Sequence, residues 1–223
     1  MREKKLFNFL VNFIISITVL MVGCTAFFSI PKKSPTLLPV YGNSTQDSVS
    51  IMFSISSGGE YLVDALDVLD KYECQATFFI NGKWASQNRD FVSSIKNRGF
   101  EIGNCGYLNR NFSSLTVSEI KGEIKVCEKL LSGITGEITT LFSPPGGILS
   151  DNVIKSCDEL NYILVMHSLE ITNEDDLELK LKEIKVGDII KINLSKNTSF
   201  VLQNLLEYCQ KKNYKIKLLS ECI

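Results

Sequence analysis

The chain has 223 residues, a formal net charge of −1 and 44% hydrophobic residues, a composition that suits one globular domain together with a targeting segment. The charge is nearly balanced and no long run of Lys and Arg occurs, so the sequence gives no basic field for nucleic acid. The seven cysteines include no Cys-x-x-Cys pair and therefore predict neither a zinc knuckle nor a redox motif.

The amino terminus has the pattern of a membrane segment. Arg2, Lys4 and Lys5 precede an almost continuous apolar stretch over residues 6–30. At about 1.5 Å rise per residue, this stretch is long enough to cross a hydrocarbon core of about 30 Å. Basic residues before the stretch favour a cytoplasmic terminus and an exported domain. The first prediction is therefore an N-terminal transmembrane helix within residues 1–30 that tethers the domain on the extracytoplasmic side.

Two other interpretations of this segment stay open. Leu20-Met21-Val22-Gly23-Cys24 resembles a bacterial lipobox with Met where Leu is usual, so cleavage before Cys24 would give a lipid-anchored protein. Simple removal as a signal peptide is the other alternative, although the apolar run continues beyond Cys24 and is longer than an ordinary signal peptide requires. All three interpretations place the domain outside the cytoplasm.

Residues 31–46 are rich in Pro, Ser, Thr, Gly and Asn and have no apolar period, which predicts a linker. The folded domain is predicted over residues 47–223. In it, short β-type runs alternate with segments of helical period. The predicted strands are 49–55, 77–80, 100–103, 140–142, 162–166, 188–192 and 214–219. The predicted helices are 60–72, 90–97, 116–131, 151–160, 175–183 and 199–210. The alternation predicts an α/β fold with about seven parallel strands, either open or closed into a distorted (β/α) barrel.

Four backbone landmarks occur in order along this domain: Ala76-Thr77-Phe78-Phe79, Glu101-Ile102-Gly103-Asn104, Pro144-Pro145-Gly146 and Gly187-Asp188-Ile189-Ile190. With Gly58-Gly59-Glu60-Tyr61 they resemble the polysaccharide deacetylases of the NodB-homology family, and in particular the sporulation-associated bacterial branch. The resemblance covers roughly residues 49–219. It implies a distorted barrel of parallel strands that, in active members, removes acetyl groups from N-acetylated sugars with the help of a divalent metal.

The residues that carry the chemistry depart from this family in every motif. The resemblance implies a general-base aspartate at Ser54 and a metal-binding aspartate at Ile55. It implies two histidine metal ligands at Cys105 and Asn109, and an arginine that orients the base at Ser143. It implies two aspartates of the groove at His167 and Glu170, and a general-acid histidine at Asn193. No catalytic or metal-binding set is therefore predicted to be intact, and no cofactor is predicted.

Five residues are candidates for a binding role. The positions predicted to contact substrate are Trp84, Tyr107, Pro144, Pro145 and Gly146. Trp84 is equally compatible with a sugar-stacking platform and with a packed aromatic, and the Pro-Pro-Gly segment is also compatible with a simple turn. Cys105 is most simply a small packed residue, whereas pairing with His167 as nucleophile and base would need an orienting group and a lowered thiol pKa.

Three hypotheses of function follow from these residues. The first is a membrane-tethered, catalytically inactive deacetylase-like protein that binds a cell-wall glycan or an envelope protein through the old groove. The second is an interaction or scaffold protein that uses an outer helical face, with the groove closed. The third is an active hydrolase of C–N bonds with a non-standard site built from Glu170 or from Cys105 and His167.

Overall fold

The computed structural model describes residues 38–43, 47–57 and 59–223. All the described residues belong to one compact unit. The predicted membrane segment 1–30, Gly58 and most of the predicted linker lie outside the described residues. Within the described ranges, none of the helices has the length and apolar character needed to span a bilayer.

The framework is a parallel sheet whose seven main strands follow the order β5-β4-β3-β2-β1-β7-β6. An eighth short strand, β8, pairs in parallel with the first two residues of β1. The strands are β1 Ser48–Ile55, β2 Thr77–Ile80, β3 Glu101–Asn104, β4 Leu141–Phe142, β5 Ile163–Leu164, β6 Leu169–Ile171, β7 Ile189–Ile192 and β8 Lys215–Ile216. Since the ladders are all parallel, the carboxyl ends of the main strands lie at one edge of the sheet.

Helices connect the strands and cover one face of the sheet. The helices are α1 Leu62–Lys71, α2 Gly82–Gln87, α3 Arg89–Asn97, α4 Val117–Thr135, α5 Asp151–Leu160, α6 Leu177–Glu183, α7 Thr198–Lys211 and α8 Leu219–Cys222. Short 3₁₀ turns occupy Gly59–Tyr61, Phe112–Ser114 and Pro145–Gly147. The predicted capping box opens α4: Thr116 accepts a hydrogen bond from the Glu119 backbone N–H, and the Glu119 carboxylate accepts one from Thr116 N–H.

The sheet is curled rather than closed by a continuous hydrogen-bonded ladder, so the open form is the one present of the two that the sequence left possible. Its two outer strands, β5 and β6, are joined by only four residues, 165–168. The backbone donors of this connection are directed to other partners: Val165 to β4, Met166 to Val40, and Ser168 to β7. β5 and β6 therefore follow each other in the chain without pairing. Among the described residues, no ladder joins these two strands.

The short segment 38–43 lies across this discontinuity. Val40 forms a parallel bridge to Val165, and Gly42 forms an antiparallel bridge to Asp188. The Val40 N–H donates to Leu164 C=O at 2.8 Å, and its C=O accepts from Met166 N–H at 2.7 Å. We call residues 38–43 the strap. It lies within the predicted linker, and it connects the end of β5 to the beginning of β7.

The buried apolar side chains of the described residues form three clusters, and those of β1 alternate between two of them. On β1, Val49, Ile51, Phe53 and Ile55 pack into the main core under the helices. Met52 lies on the other face, in a smaller inner core together with Phe79, Cys105, Leu141, Val165, Ile189 and Leu219. This is the two-residue period expected of a strand that is buried on both faces.

Most predicted elements are present. The helix α2 at Gly82–Gln87 was not predicted, and the other exceptions lie late in the chain. The predicted strand 162–166 is only two residues long as β5, and β6 follows it as an unpredicted strand. The predicted strand 214–219 is divided into β8 and the helix α8. Leu219 explains the change at the carboxyl end, because its side chain is fully buried in the inner core and the chain turns into a helix to place it there.

Candidate functional site

The carboxyl ends of the strands form a mouth, and the sequence-predicted site residues lie around it. Ser54 and Ile55 end β1, Cys105 follows β3 and Ser143 follows β4. Glu170 lies within β6, and Asn193 follows β7 directly. This edge of a parallel α/β sheet is where such folds ordinarily place their sites.

The two positions at the end of β1 offer no charged group. Ile55 is fully buried and belongs to the helix-covered core, while Ser54 is half-buried. An aliphatic side chain has no donor atom for a metal, and a serine hydroxyl cannot act as a carboxylate base at neutral pH. The two positions at which the family resemblance implies a base and a metal ligand therefore carry neither group.

The two positions after β3 are also unsuited to a divalent ion. Cys105 is 3% exposed and packs in the inner core. Burial raises the pKa of its thiol to about 12, although the charge of Lys191 acts in the opposite direction. Without a metal the thiol is therefore protonated at neutral pH, whereas nucleophilic attack requires the thiolate. Asn109 is exposed on the following loop and supplies only a neutral amide.

No group of three His, Cys, Asp or Glu side chains converges closely enough to hold a metal ion within the described ranges. A catalytic zinc usually has three protein ligands and one open position. The residues present at this mouth do not fit the divalent metal that the family resemblance implies.

The mouth contains instead a compact polar network centred on Glu170. Its Oε1 atom accepts hydrogen bonds from Lys191 Nζ at 2.7 Å and from Asn193 Nδ2 at 2.8 Å. Its Oε2 atom lies 3.5 Å from His167 Nε2. Predicted positions from two different strands, together with His167 on the connection between β5 and β6, are thus brought into one cluster. Sequence reasoning placed three of these four residues at the site.

Lys191 is the residue that sequence reasoning missed. It is only 12% exposed and is paired with Glu170 on the neighbouring strand, at the register position that the two strands share. On the other neighbouring strand, β1, the register partner of Lys191 is Met52, which belongs to the inner core. The sequence signal for Lys191 was a single charged residue within the apolar run Ile189-Ile190-Lys191-Ile192. Lys191 and Asn193 are two positions apart, which is the spacing of side chains on one face of a strand.

The network shifts the protonation of its members in defined directions. Burial alone would raise the pKa of Glu170, but hydrogen bonds from Lys191 and Asn193, together with the charges of Lys191 and His167, hold it below its usual value. Burial and the neighbouring Lys191 charge lower the pKa of His167, and Glu170 only partly opposes them. At neutral pH the network therefore contains a carboxylate, an ammonium and a neutral imidazole, and its formal charges cancel.

The loop that carries Cys105, Tyr107 and Asn109 is held by two buried polar side chains. Asn104 donates to Ile124 C=O at 2.9 Å and accepts from Gly106 N–H at 2.8 Å. The carboxylate of Glu123 accepts hydrogen bonds from Tyr107 N–H at 3.0 Å and Leu108 N–H at 2.6 Å. The loop is therefore fixed by hydrogen bonds from the protein itself.

The Pro144-Pro145-Gly146 segment forms a tight turn at the mouth. Pro144 and Pro145 are buried, Gly146 is exposed, and Gly146 and Gly147 both have positive φ. A Cβ atom on Gly147 would lie 3.4 Å from His167 Cε1, so the turn packs closely beside the polar network. Ser143, at the arginine position, is 4% exposed and donates its backbone N–H to Asn104 C=O.

Trp84 has the environment of a packed aromatic. Its side chain is 7% exposed, belongs to the main core and contacts Phe91 with ring centroids 6.2 Å apart. It also lines a pocket of about 450 Å³ beside the mouth, together with Ser56, Lys83 and Asn109. Tyr107, in the loop after β3, is half-buried. The binding roles predicted for both aromatics remain predictions.

Comparison with known proteins gives the family. Residues 41–165, more than half of the chain, match the model of the polysaccharide deacetylase family. The chain belongs to that family.

Among curated proteins, YlxY of Bacillus subtilis is 27% identical over 190 residues, which cover 82% of this chain and 60% of YlxY. The peptidoglycan-N-acetylmuramic acid deacetylase PdaA of Bacillus subtilis is 23% identical, and the match covers 81% of this chain and 73% of PdaA. This chain thus spans less than two thirds of YlxY.

Among solved structures, BA3943 of Bacillus anthracis, described as a CE4 family pseudoenzyme, superposes with a TM-score of 0.80. It is 23% identical, and the match covers 85% of this chain and 70% of BA3943. A further BA3943 structure is of a mutant described as having restored enzymatic activity. At this identity the superposition establishes a shared fold.

Proposed function

We propose that this chain is a deacetylase-like protein without hydrolytic activity, which binds a cell-wall glycan or an envelope partner at the old mouth. The observation that carries the proposal is the packing at the former metal position: Ile55 is buried in the helix-covered core, and Cys105 is buried in the inner core. A metal-dependent hydrolase must polarise the carbonyl and lower the pKa of the attacking water, and neither is available without ligands for the ion.

The absence of a base and an acid at the matching positions supports the same conclusion. General acid or base action contributes about 10²- to 10⁴-fold to a rate. Ser54 and Asn193 can supply neither function at neutral pH. A protein of the same fold, BA3943, is described as a pseudoenzyme, so this architecture persists without activity in at least one other protein.

The direct test is acetate release from N-acetylated chitooligosaccharides and from peptidoglycan, with zinc, cobalt or manganese added. We expect no release by the full chain or by residues 38–223. PdaA is the positive control on peptidoglycan, and a peptidoglycan-N-acetylglucosamine deacetylase of the family is the positive control on the chitooligosaccharides. Titration calorimetry with the same glycans measures binding independently of hydrolysis. Metal-dependent acetate release would overturn the proposal.

One specific observation favours a second function, a hydrolase with a rebuilt site: Glu170, His167 and Lys191 form a polar network at the mouth. Such an enzyme would release acetate, and His167→Ala or Glu170→Gln would abolish the release. The other form of this hypothesis, a Cys105 and His167 pair, is disfavoured by the protonated thiol. A pure scaffold that uses an outer helical face would bind no glycan and would be unaffected by substitutions at the mouth.

The proposal includes a location outside the cytoplasm, with residues 1–30 as the tether. Its support is the basic-then-apolar pattern of the sequence. Protease added to intact protoplasts should digest residues 38–223, and the protein should remain with the membrane fraction after a high-salt wash. Protection of the domain in intact protoplasts would contradict this topology. A role in sporulation is likewise a proposal, and sporulation-specific expression would be its first test.

A further inference from the structure

Two pockets lie on either side of the seam where the start of α2 meets the loop after β3. The seam is held by hydrogen bonds from Gly82 N–H to Gly106 C=O at 2.9 Å and from Lys83 N–H to Tyr107 C=O at 2.8 Å. On the mouth side, the pocket of about 450 Å³ is lined by Lys83, Gln87 and Asn109, among others. On the far side, a second pocket of about 400 Å³ extends to α3 and α4. Both volumes are typical of ligand pockets.

The charges that line these two pockets are all of one sign. Lys83 lines the first pocket, and Arg89 and Lys129 line the second; neither lining includes an Asp or Glu. Two other pockets in the described part of the chain have mixed linings. One combines Asp151 and Asp158 with Lys155, and the other combines Lys96 with two glutamates. The concentration of cations is thus a property of this surface and not of the chain, whose net charge is −1.

These three cations are also unneutralised. Within the described ranges, Lys83, Arg89 and Lys129 take part in no ion pair, whereas Arg98 pairs with two aspartates and Arg110 with two glutamates. One acid that contacts this loop, Glu123, is 9% exposed and accepts the backbone N–H groups of Tyr107 and Leu108 behind it. The seam therefore presents a positive field to an approaching ligand.

The uncharged groups of the two linings suit sugar rings. Ser56, Gln87, Asn109 and Ser86 offer hydroxyl and amide groups that both donate and accept hydrogen bonds, and Tyr107 adds an aromatic ring. Val126 and Leu130 supply a small apolar floor in the second pocket. A ligand that is both hydroxyl-rich and acidic would use every part of this surface.

The geometry points to this seam as a binding surface for an acidic glycan, one that carries carboxylates along its strand. This inference rests on the proposed glycan-binding function and specifies its ligand. It also places binding beside the former catalytic position, on charged residues that no catalytic motif uses. Ligand carboxylates would pair with Lys83, Arg89 and Lys129, while the hydroxyl groups would meet the amide and hydroxyl side chains.

The test compares oligogalacturonate, which bears a carboxylate on each ring, with neutral chitopentaose of the same length, by titration calorimetry on the full chain. At low salt we expect the acidic glycan to bind at least about 10-fold more tightly, since three charge pairs together are worth about that factor. Raising the salt concentration to about 0.3 M should remove most of this difference, because screening acts on exposed charges.

Matched variants locate the site. Lys83→Gln, Arg89→Gln and Lys129→Gln combined should remove the preference for the acidic glycan. The control combination Lys155→Gln, Lys185→Gln and Lys211→Gln changes the net charge equally on other surfaces and should leave the preference intact. An equal loss of the preference for the acidic glycan in both combined variants would show that net charge alone causes the preference. That result would overturn the assignment. Unchanged circular dichroism and melting would confirm that each variant is folded.

The remaining outcomes separate this inference from the function on which it rests. Equal binding of both glycans would overturn the acidic specificity but leave glycan binding standing. Binding of neither would overturn both. Binding of poly-glutamate as tightly as oligogalacturonate would show that an acidic protein segment is the better occupant, and would also overturn the glycan assignment.

Discussion

At the scale of single residues, two side chains at the mouth are part of the apolar cores. Cys105 packs in the inner core, and Ile55 packs in the helix-covered core. Lys191 supplies a fixed positive charge beside Glu170. Repulsion by this charge makes the binding of a metal ion at the same place less favourable. Glu170 accepts hydrogen bonds from Lys191 and Asn193, so these three residues link the ends of β6 and β7.

Thiol labelling tests the state of Cys105. With a pKa of about 12, only about one thiol in 10⁴ is ionised at pH 8, and burial further limits access. We expect a maleimide reagent to modify Cys105 in the native protein at least ~100-fold more slowly than the half-buried Cys74, as measured by peptide mass mapping. Both cysteines should react at similar rates in guanidinium. Rapid native labelling of Cys105 would revive the Cys105 and His167 pair as a nucleophile and base.

The pH dependence of stability tests the network around Glu170. Because the folded-state pKa of Glu170 is lowered, its stabilising effect is present above the usual Glu pKa of about 4.3 and is lost as the pH falls through the folded value. Glu170→Gln should therefore lower the free energy of unfolding by about 1 kcal/mol or less at pH 7, because the group is partly exposed and screened.

This difference should shrink toward zero between roughly pH 5 and pH 3, as measured by denaturant unfolding at each pH. Glu178→Gln removes a surface pair with Lys182 and serves as the control, with little effect expected at any pH. A Glu170→Gln effect that stayed constant down to pH 3 would show that the charge of Glu170 does not stabilise the fold.

At the scale of elements, the strap joins parts of the fold that no other described segment connects in the same way. Its backbone pairs with Leu164, Met166 and Gly187, and the Asn43 side chain donates to Cys222 C=O at 2.9 Å. Val40 packs partly buried against the inner core. These contacts join both sides of the discontinuity in the sheet to the carboxyl terminus. The strap is short, but we expect it to contribute to the stability of the domain.

Removing the strap should destabilise the domain. A protein beginning at Asp47 should have a free energy of unfolding about 2–4 kcal/mol lower than one beginning at Leu38, from the loss of several hydrogen bonds and of Val40 burial. Guanidinium unfolding followed by circular dichroism measures the difference. Leu38→Ala, at a position that is 77% exposed, is the control and should change little. Equal stability of the two lengths would mean that the strap contributes nothing to the fold.

At the scale of the whole molecule, the domain is a deacetylase framework held by its own apolar and polar contacts. The sheet has two apolar faces, and the loop after β3 is anchored by Asn104 and Glu123. An ion that binds only the folded state would raise the melting temperature by mass action. The described residues offer no set of ligands that would produce such a rise.

Thermal melting with and without zinc tests this property. We expect 100 μM zinc or an EDTA wash to shift the midpoint by less than about 1 °C, within the scatter of such scans. A family member that binds zinc with a Kd near 1 μM should gain roughly 5–10 °C under the same conditions and is the positive control. A comparable rise in this chain would establish a metal site and contradict our interpretation of Ile55, Cys105 and Asn109.

Much of this molecule could be predicted from its sequence, because local patterns carry the information. The order of strands and helices followed from periodicity, and the capping box of α4 followed from Thr116 and Glu119. The second strand in the region after Tyr162 could not be predicted, because β6 is three residues long and its place in the sheet depends on pairing with β7. Lys191 was missed for a related reason: one charge in an apolar strand gains meaning only from its partner across the sheet.

The sequence by itself determined the family framework and which side chains stand where the resemblance implies a base, metal ligands and an acid. Residue identity alone decides which side chains can ionise or bind a metal. Only the tertiary structure decided how the remaining side chains are used. Burial fixes the Cys105 thiol in its protonated form, register brings Lys191 to Glu170, and the curl of the sheet brings the strap across its open edge. Proton affinity and pairing depend on distances between residues far apart in the chain, and folding alone sets those distances.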